Sequence, residues 1–234
     1  MRIADLPPTC RPRERLLASG AQALSDAELL AVFLRTGVAG KSALELGAEL
    51  LTRFGSLRAL LSASPAAVQQ VGGVGPAKLA QLRAALELGR RMHEEELERG
   101  NVLDSPRRVR DFLRSCLGHD SHESFGIIFL DARNRFISWE EMFRGTLSGT
   151  QVHVREIVRM ALEKRAAGVI LAHNHPSGVP TPSASDHVLT RHVQRALAMV
   201  DVTVHDHFII AGRRSYSFSE RGDMPTLPTT LHDC

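Results

Sequence analysis

The stretch "VILAHNHPSGVPTPSASD", Val169 to Asp186, decides how the second half of this chain is read. Its first four residues are apolar and largely β-branched, with Gly168 before them and a Pro-Ser-Gly turn soon after. So short a run bounded by breakers predicts a buried strand rather than a helix. In an extended segment residues i and i+2 project to one side, so His173 and His175 point together and Asn174 points away. Pro176 reinforces this, because a residue before proline favours extended backbone angles.

Two imidazoles at a strand end, followed by a short turn and an aspartate, match the donor set of a catalytic zinc, which takes three protein ligands and keeps one position open. The turn is short enough for the next helix to bring Asp186 back towards the strand end. The competing reading is a polar loop ending in a helix cap, since Ser183-x-x-Asp186 also has the form of a capping box. A phosphate site is a third. Thr181 at N-cap with Pro182 at N1 gives a better helix start, which leaves Ser183 and Asp186 one turn apart on one helix face and free for other work. A second His-x-His, His205 and His207, lies inside a strand pattern without a nearby third ligand and reads as structural, and His187 and His192 face solvent or the adjacent layer. A base acting on a zinc-bound water is expected to be a carboxylate, with Glu123, Glu140, Glu141 and Glu156 as candidates.

Around this stretch the pattern alternates. "SFGIIFLD" and "RFISWEEMF" read as strands of a hairpin joined at "ARN". Val154, Ile157, Val158, Ala161 and Leu162 form a helical stripe, a further helix is expected from about Pro182 to Val200, and "VTVHDHFIIAG" and "SYSFSE" read as closing strands. An amphipathic helix beginning at Ser105-Pro106 carries Val109, Phe112, Leu113, Cys116 and Leu117 on one face, so Cys116 reads as core. The whole is an α/β or α+β sheet domain spanning 105–227. From Arg11 to Met92 the pattern is helical and broken by Gly, with Ser25 and Ser64 suited to N-caps, Pro65 to a first helical position, and Gly20, Gly37 and Gly55 to left-handed caps. A small all-α domain over 1–93 is expected, joined by a charged linker at 94–104.

The 234 residues, 43% hydrophobic and 24% charged, are enough for a buried core and argue against disorder. A net charge of +3 permits nucleic-acid contact without singling it out. Cys10, Cys116 and Cys234 are three in number and far apart, so no disulfide framework or Cys-x-x-Cys metal site can be drawn, which fits a reducing compartment. No apolar run reaches the roughly 18 residues that span a bilayer. A cytoplasmic protein without a membrane segment is expected, its oligomeric state open.

His173-x-His175, seven residues, Ser183, two residues and Asp186 resemble the JAMM (MPN) metalloprotease signature. With "HNHPSG", "FRGTL", "VREIV" and "SFSERG" the chain is similar to the RadC family along almost its entire length. The resemblance implies a cytidine-deaminase-like α/β fold, zinc held by His173, His175, Asp186 and a water, Glu123 as general acid/base, and Ser183 as the oxyanion donor. It implies hydrolysis of a peptide or isopeptide bond in an unknown protein or peptide substrate, with Glu140 or Glu141 as reserve bases. "VGGVGPAKLAQL" resembles a helix-hairpin-helix, whose backbone N–H groups at Gly73 and Gly75 would hold DNA phosphates without reading sequence, helped by Lys78 and Arg83. Such hairpins also join helices that bind nothing. The alternative function is a DNA-associated, repair-related accessory protein whose metal domain is structural or binds a partner.

Overall fold

A computed structural model describes residues 3–118, 122–145 and 152–226. The chain divides into two compact units, residues 1–88 and 89–234.

In the first unit the helices are α1 (Pro12–Ser19), α2 (Asp26–Leu34), α3 (Ala43–Phe54), α4 (Leu57–Ser62), α5 (Pro65–Gln69) and the start of α6 (Pro76–Glu98). Ser25, Ser42, Ser56 and Ser64 each cap a helix through the side-chain oxygen, which satisfies a backbone N–H that the helix itself cannot. Gly55 takes the expected left-handed conformation. Gly37 does not have a positive φ; it is small because a methyl group there would collide with the Lys41 carbonyl. Leu30, Leu34, Leu46, Leu50, Leu60, Val68, Val71, Val74 and Leu82 form the core.

Residues 94–98, expected in a linker, are helical: α6 continues to Glu98, and Leu97 is buried in the core of the second unit. The helix persists because Leu97 has an apolar site to fill and Arg90 pairs with Glu94 at i,i+4. A 3₁₀ turn over Val102–Asp104 follows, and α7 (Pro106–Leu117) begins at the Ser105 cap.

The second unit is built on a five-stranded sheet of order β2-β1-β3-β4-β5, with β1 Ser124–Leu130, β2 Phe136–Arg144, β3 Gly168–Asn174, β4 Thr203–Ala211 and β5 Arg214–Ser217. β3 and β4 are parallel and linked through α9 (Ala184–Ala198), while the other neighbours are antiparallel. α7 packs on one face, against Ile128, Leu130, Ile170, Ala172, Phe208 and Ile210. α8 (Val154–Glu163) and α9 cover the other, against Phe125, Ile127, Phe129, Val169, Leu171 and Val204. β1 and β3 are buried at every position, as expected for central strands covered on both sides. This is the mixed α/β sheet domain behind an all-helical region that the sequence pattern predicts.

Two local expectations fail. The segment "SYSFSE" is not one strand: pairing ends at Ser217, whose side chain caps the short helix α10 (Phe218–Arg221). Asp206 is the reason, because its buried carboxylate accepts from the Ser217 hydroxyl and the Ser219 N–H, turning the chain out of the sheet. The helix expected from Pro182 begins instead at Ala184, with Ser183 as N-cap. Cys234, the tail from 227 and part of "FRGTL" lie outside the described residues.

Candidate metal centre

His173 is the last residue but one of β3, buried at 2% exposure, on the face covered by α8 and α9. His175 follows one residue beyond the strand, and its Nδ1 lies 2.8 Å from the Val179 carbonyl. That bond folds the Pro-Ser-Gly turn onto the ring and leaves Nε2 facing His173. Gly178 supplies the positive φ of the turn, and Arg214 from β5 donates to its carbonyl. The turn then delivers α9 so that Asp186 meets both imidazoles.

Among the described residues this is the one group of three or more His, Cys, Asp or Glu side chains able to hold a metal ion. His173 Nε2 lies 3.0 Å from His175 Nε2 and 3.3 Å from Asp186 Oδ1, and His175 Nε2 lies 3.6 Å from Asp186 Oδ2. Ligands about 2.0–2.1 Å from a tetrahedral zinc stand roughly 3.3–3.4 Å from one another, close to the separations of 3.0 and 3.3 Å that His173 Nε2 makes with His175 Nε2 and Asp186 Oδ1.

Capping and metal ligation were read from the sequence as rivals for Ser183 and Asp186, with Thr181 and Pro182 taking over the cap. The structure overturns that transfer. Asp186 Oδ2 accepts from both the Ser183 N–H and the Ser183 hydroxyl at 2.7 Å, and the Asp186 N–H returns to Ser183 Oγ at 3.2 Å, a complete capping box. The carboxylate does both jobs at once: Oδ1 faces His173, while Oδ2 closes the helix and also lies 3.6 Å from His175 Nε2. Neither Thr181 nor Pro182 is needed, because Ser183 satisfies the first turn of α9. The Ser183 hydroxyl is therefore engaged with Asp186 rather than free.

Charge follows from this packing. Burial pushes the Asp186 carboxyl up, but its contacts with the His173 and His175 rings, the charge of His173 and the Ser183 N–H outweigh it and hold the group well below the usual carboxylate range. The Asp186 bond raises His175, burial opposes it, and the Val179 carbonyl and the negative charges of Asp186 and Glu123 add to the rise. Four carboxylates were candidates for a base. Glu140 pairs with Lys164 at 2.5 Å, Glu141 with Arg144 at 2.7 Å, and Glu156 with Arg159 at 3.0 Å. Glu123 stands directly before β1, and its negative charge contributes to the rise at His175. Asn174 fixes that segment: its side chain donates to the His122 carbonyl at 2.9 Å and accepts from Ser124 N–H at 2.7 Å, clamping both neighbours of Glu123. Gly145 N–H donates to the Glu123 carbonyl at 2.7 Å.

His207, read from the sequence as structural, belongs to this centre. It is fully buried, its Nε2 lies 2.8 Å from His173 Nδ1, and its Nδ1 lies 2.7 Å from Thr190 Oγ1. Burial, with the charge of His173 adding to it, pushes its pKa well below the ordinary imidazole range, so it is neutral. A bulge explains why this second His-x-His is unlike the first: β4 advances two residues, Val204 to Asp206, where β3 advances one. His205 is the extra residue and lies against Gly168, while His207 stays in register opposite Leu171. Only a bulge in β4 could have revealed this, and nothing in the residue spacing marks one. His187 packs its ring on Phe218 at 5.0 Å between centroids.

In the first unit Gly73 has φ +97°, and a methyl group there would collide with Val38, whereas a methyl at Gly75 would meet nothing within 4 Å. Lys78 Nζ donates to the Thr36 and Gly73 carbonyls at 2.7 and 2.9 Å, and Arg83 donates to the Ala63 carbonyl. Lys78 and Gly73 thus brace the hairpin from within, and Gly75 marks its open side.

Residues 103–223 match the RadC-like JAB domain family and residues 3–80 match the UPF0758 N-terminal family. A UPF0758 protein of Janthinobacterium sp. (strain Marseille) is 55% identical over 96% of this chain and all of its own length. One of Herminiimonas arsenicoxydans is 54% identical over the same shares, and one of Nitrosospira multiformis 55% over 95% of this chain and 99% of its own length. No helix in the described residues is long and apolar enough to cross a membrane. The resemblance seen in "HNHPSG" and "SFSERG" thus holds along the length of the molecule, and the chain belongs to the RadC-like JAB domain family, carrying the UPF0758 N-terminal region ahead of that domain.

Proposed function

We propose that this protein is a zinc-dependent hydrolase of the JAMM type that cleaves a peptide or isopeptide bond. The observation that carries the proposal is the convergence of two imidazole Nε2 atoms, 3.0 Å apart, on the Asp186 carboxylate, whose Oδ1 lies 3.3 Å from His173 and Oδ2 3.6 Å from His175, with three protein donors and not four among the described residues. A structural zinc is normally closed by four protein ligands, whereas three leave a position for water. Zinc bound there would polarise the substrate carbonyl and acidify a water.

The remaining steps belong to the chain. Glu123, held before β1 by Asn174, takes the proton of the attacking water and returns it to the leaving amine. Ser183 is placed one turn from the ligand Asp186, and rotation of its hydroxyl away from Oδ2 would aim a donor at the developing oxyanion, an interaction whose loss costs roughly 3–4 kcal/mol in other hydrolases. Asp186 keeps its charge throughout, since its pKa lies far below neutrality.

Zinc-loaded protein incubated with proteome-derived peptide and isopeptide libraries, read by mass spectrometry, tests this. Cleavage is expected in the wild type and absent from Glu123→Gln, which still binds zinc. Cleavage surviving in that variant would move the base to Glu140 or Glu141, and none in the wild type would remove the activity.

A second reading, sequence-independent DNA contact by the hairpin before α6, is favoured by the open side of Gly75. It predicts weak binding that declines with added salt and is reduced in Gly75→Leu. Gly73 and Lys78, being internal braces, would affect it through folding.

A further inference from the structure

We propose that Thr190 and His207 act as positioning residues that fix the tautomer of His173, keeping its hydrogen on Nδ1 and its Nε2 lone pair aimed at His175 and Asp186. The purpose of the device rests on the metal reading above; the order of hydrogen bonds does not.

The order follows from one fixed acceptor. The Asp186 backbone carbonyl can only accept, and Thr190 Oγ1 lies 2.6 Å from it, one turn along α9. The hydroxyl has a single proton and spends it there. Thr190 Oγ1 must then accept from its other neighbour, His207 Nδ1, at 2.7 Å, so Nδ1 carries the hydrogen of the His207 ring, which is wholly buried against Phe218 and Phe125. Its Nε2 is left bare and can only accept from His173 Nδ1, 2.8 Å away. His173 is thereby obliged to place a hydrogen on Nδ1. Neutral His173 then has a bare Nε2, 3.3 Å from Asp186 Oδ1. His175 reaches the same tautomer by a shorter route, its Nδ1 facing the Val179 carbonyl. Both rings thus present the nitrogen a cation requires.

Packing makes the relay rigid. Phe218 stacks on His207 with centroids 4.9 Å apart and planes 16° from parallel, and Phe125 meets it edge-on. Asp206 secures both sides of that stack, accepting from the His207 N–H on β4 and from Ser219 N–H and the Ser217 hydroxyl at the start of α10. The relay also closes on itself, because Thr190 is bonded to the backbone of Asp186, a residue of the same centre. One aspartate therefore faces both imidazoles with its carboxylate, closes the helix cap through Oδ2 and gives its carbonyl to the order of protons.

Full-length, metal-free, ¹⁵N-labelled protein at about pH 8 provides the test, with long-range ¹H–¹⁵N correlations assigning each imidazole. His173 and His207 are expected with hydrogen on Nδ1; His173 carrying it on Nε2 alone overturns the proposal. His207→Phe keeps a ring against Phe218 and removes the acceptor. Outer hydrogen-bond partners of metal ligands typically contribute 10–100-fold in affinity, so zinc binding should weaken by about that factor, with His207→Gln recovering much of the loss because its amide oxygen can accept from His173. Should His207→Phe fail to fold, the near-isosteric Thr190→Val frees His207 to reverse its tautomer and should shift the His173 signals and weaken zinc binding likewise. Wild-type affinity in either folded variant overturns the proposal. Wild-type protein with the expected tautomers that binds no zinc would support the relay and refute the metal reading instead.

Discussion

Replacing Asp186 separates the two roles that its carboxylate combines. In Asp186→Ala the Ser183 N–H and hydroxyl lose the acceptor that each finds at 2.7 Å. A lost cap costs about 1 kcal/mol, within a range of roughly 0.5–2, and a carboxylate in the first turn adds about 0.3–1 kcal/mol through the helix dipole. Metal-free Asp186→Ala should therefore be about 1–2 kcal/mol less stable, a fall in Tm of about 3–6 °C for a unit of this size. Asp186→Asn retains an oxygen for the cap, so its metal-free Tm should fall less than half as far. Zinc affinity should respond differently. Both variants lose an anionic ligand, and both should bind zinc more than about 100-fold more weakly, beyond the effect of removing an outer partner. Calorimetric melting of metal-free samples and zinc titration against a chromophoric chelator read the two roles independently. Asp186→Ala melting with the wild type would refute the capping role; Asp186→Asn holding zinc as tightly as the wild type would refute ligation.

The raised pKa of His175 predicts opposite pH responses with and without metal. In metal-free protein the stabilisation from protonated His175 is fully present below the unfolded imidazole value of 6.5 and is lost as pH rises through the raised folded value, while zinc affinity rises over the same window because the proton and the ion compete for Nε2; denaturant titrations and zinc titrations across pH 6–9 check both signs. Burial pushes the Cys116 thiol up to about 12, so native protein treated with iodoacetamide should be alkylated at exposed Cys10 and at Cys116 only after unfolding. A methyl group at Gly126 would collide with the Trp139 ring and the Glu140 carbonyl across the β1–β2 pair, so Gly126→Ala should cost about 1–3 kcal/mol, read by equilibrium unfolding.

The legibility of the chain tracks whether a feature depends on neighbours in sequence. β3 could be read from Val169–Ala172, and the ligand pair from the parity of an extended strand, because both are local. The hairpin at "ARN" was visible for the same reason, with Asn134 taking the positive φ the turn requires. What escaped was set by contacts distant along the chain. α6 runs on through residues 94–98 because Leu97 finds a core built from α7 and the sheet. The final strand stops at Ser217 because Asp206, eleven residues earlier, pulls the backbone into a cap. His207 looked like His205 in sequence, and only the bulge between them sends one to Gly168 and the other to His173. The choice between cap and ligand at Asp186 was a false one, since spacing cannot show that one carboxylate serves both.

Zinc content tests the central claim most directly. Full-length protein reconstituted with zinc, dialysed and measured by inductively coupled plasma mass spectrometry should hold close to one zinc per chain, and the His173→Ala, His175→Ala double variant, folded by circular dichroism, should hold close to none. Equal zinc in the two proteins, or none in the wild type, would contradict the assignment of the metal to His173, His175 and Asp186.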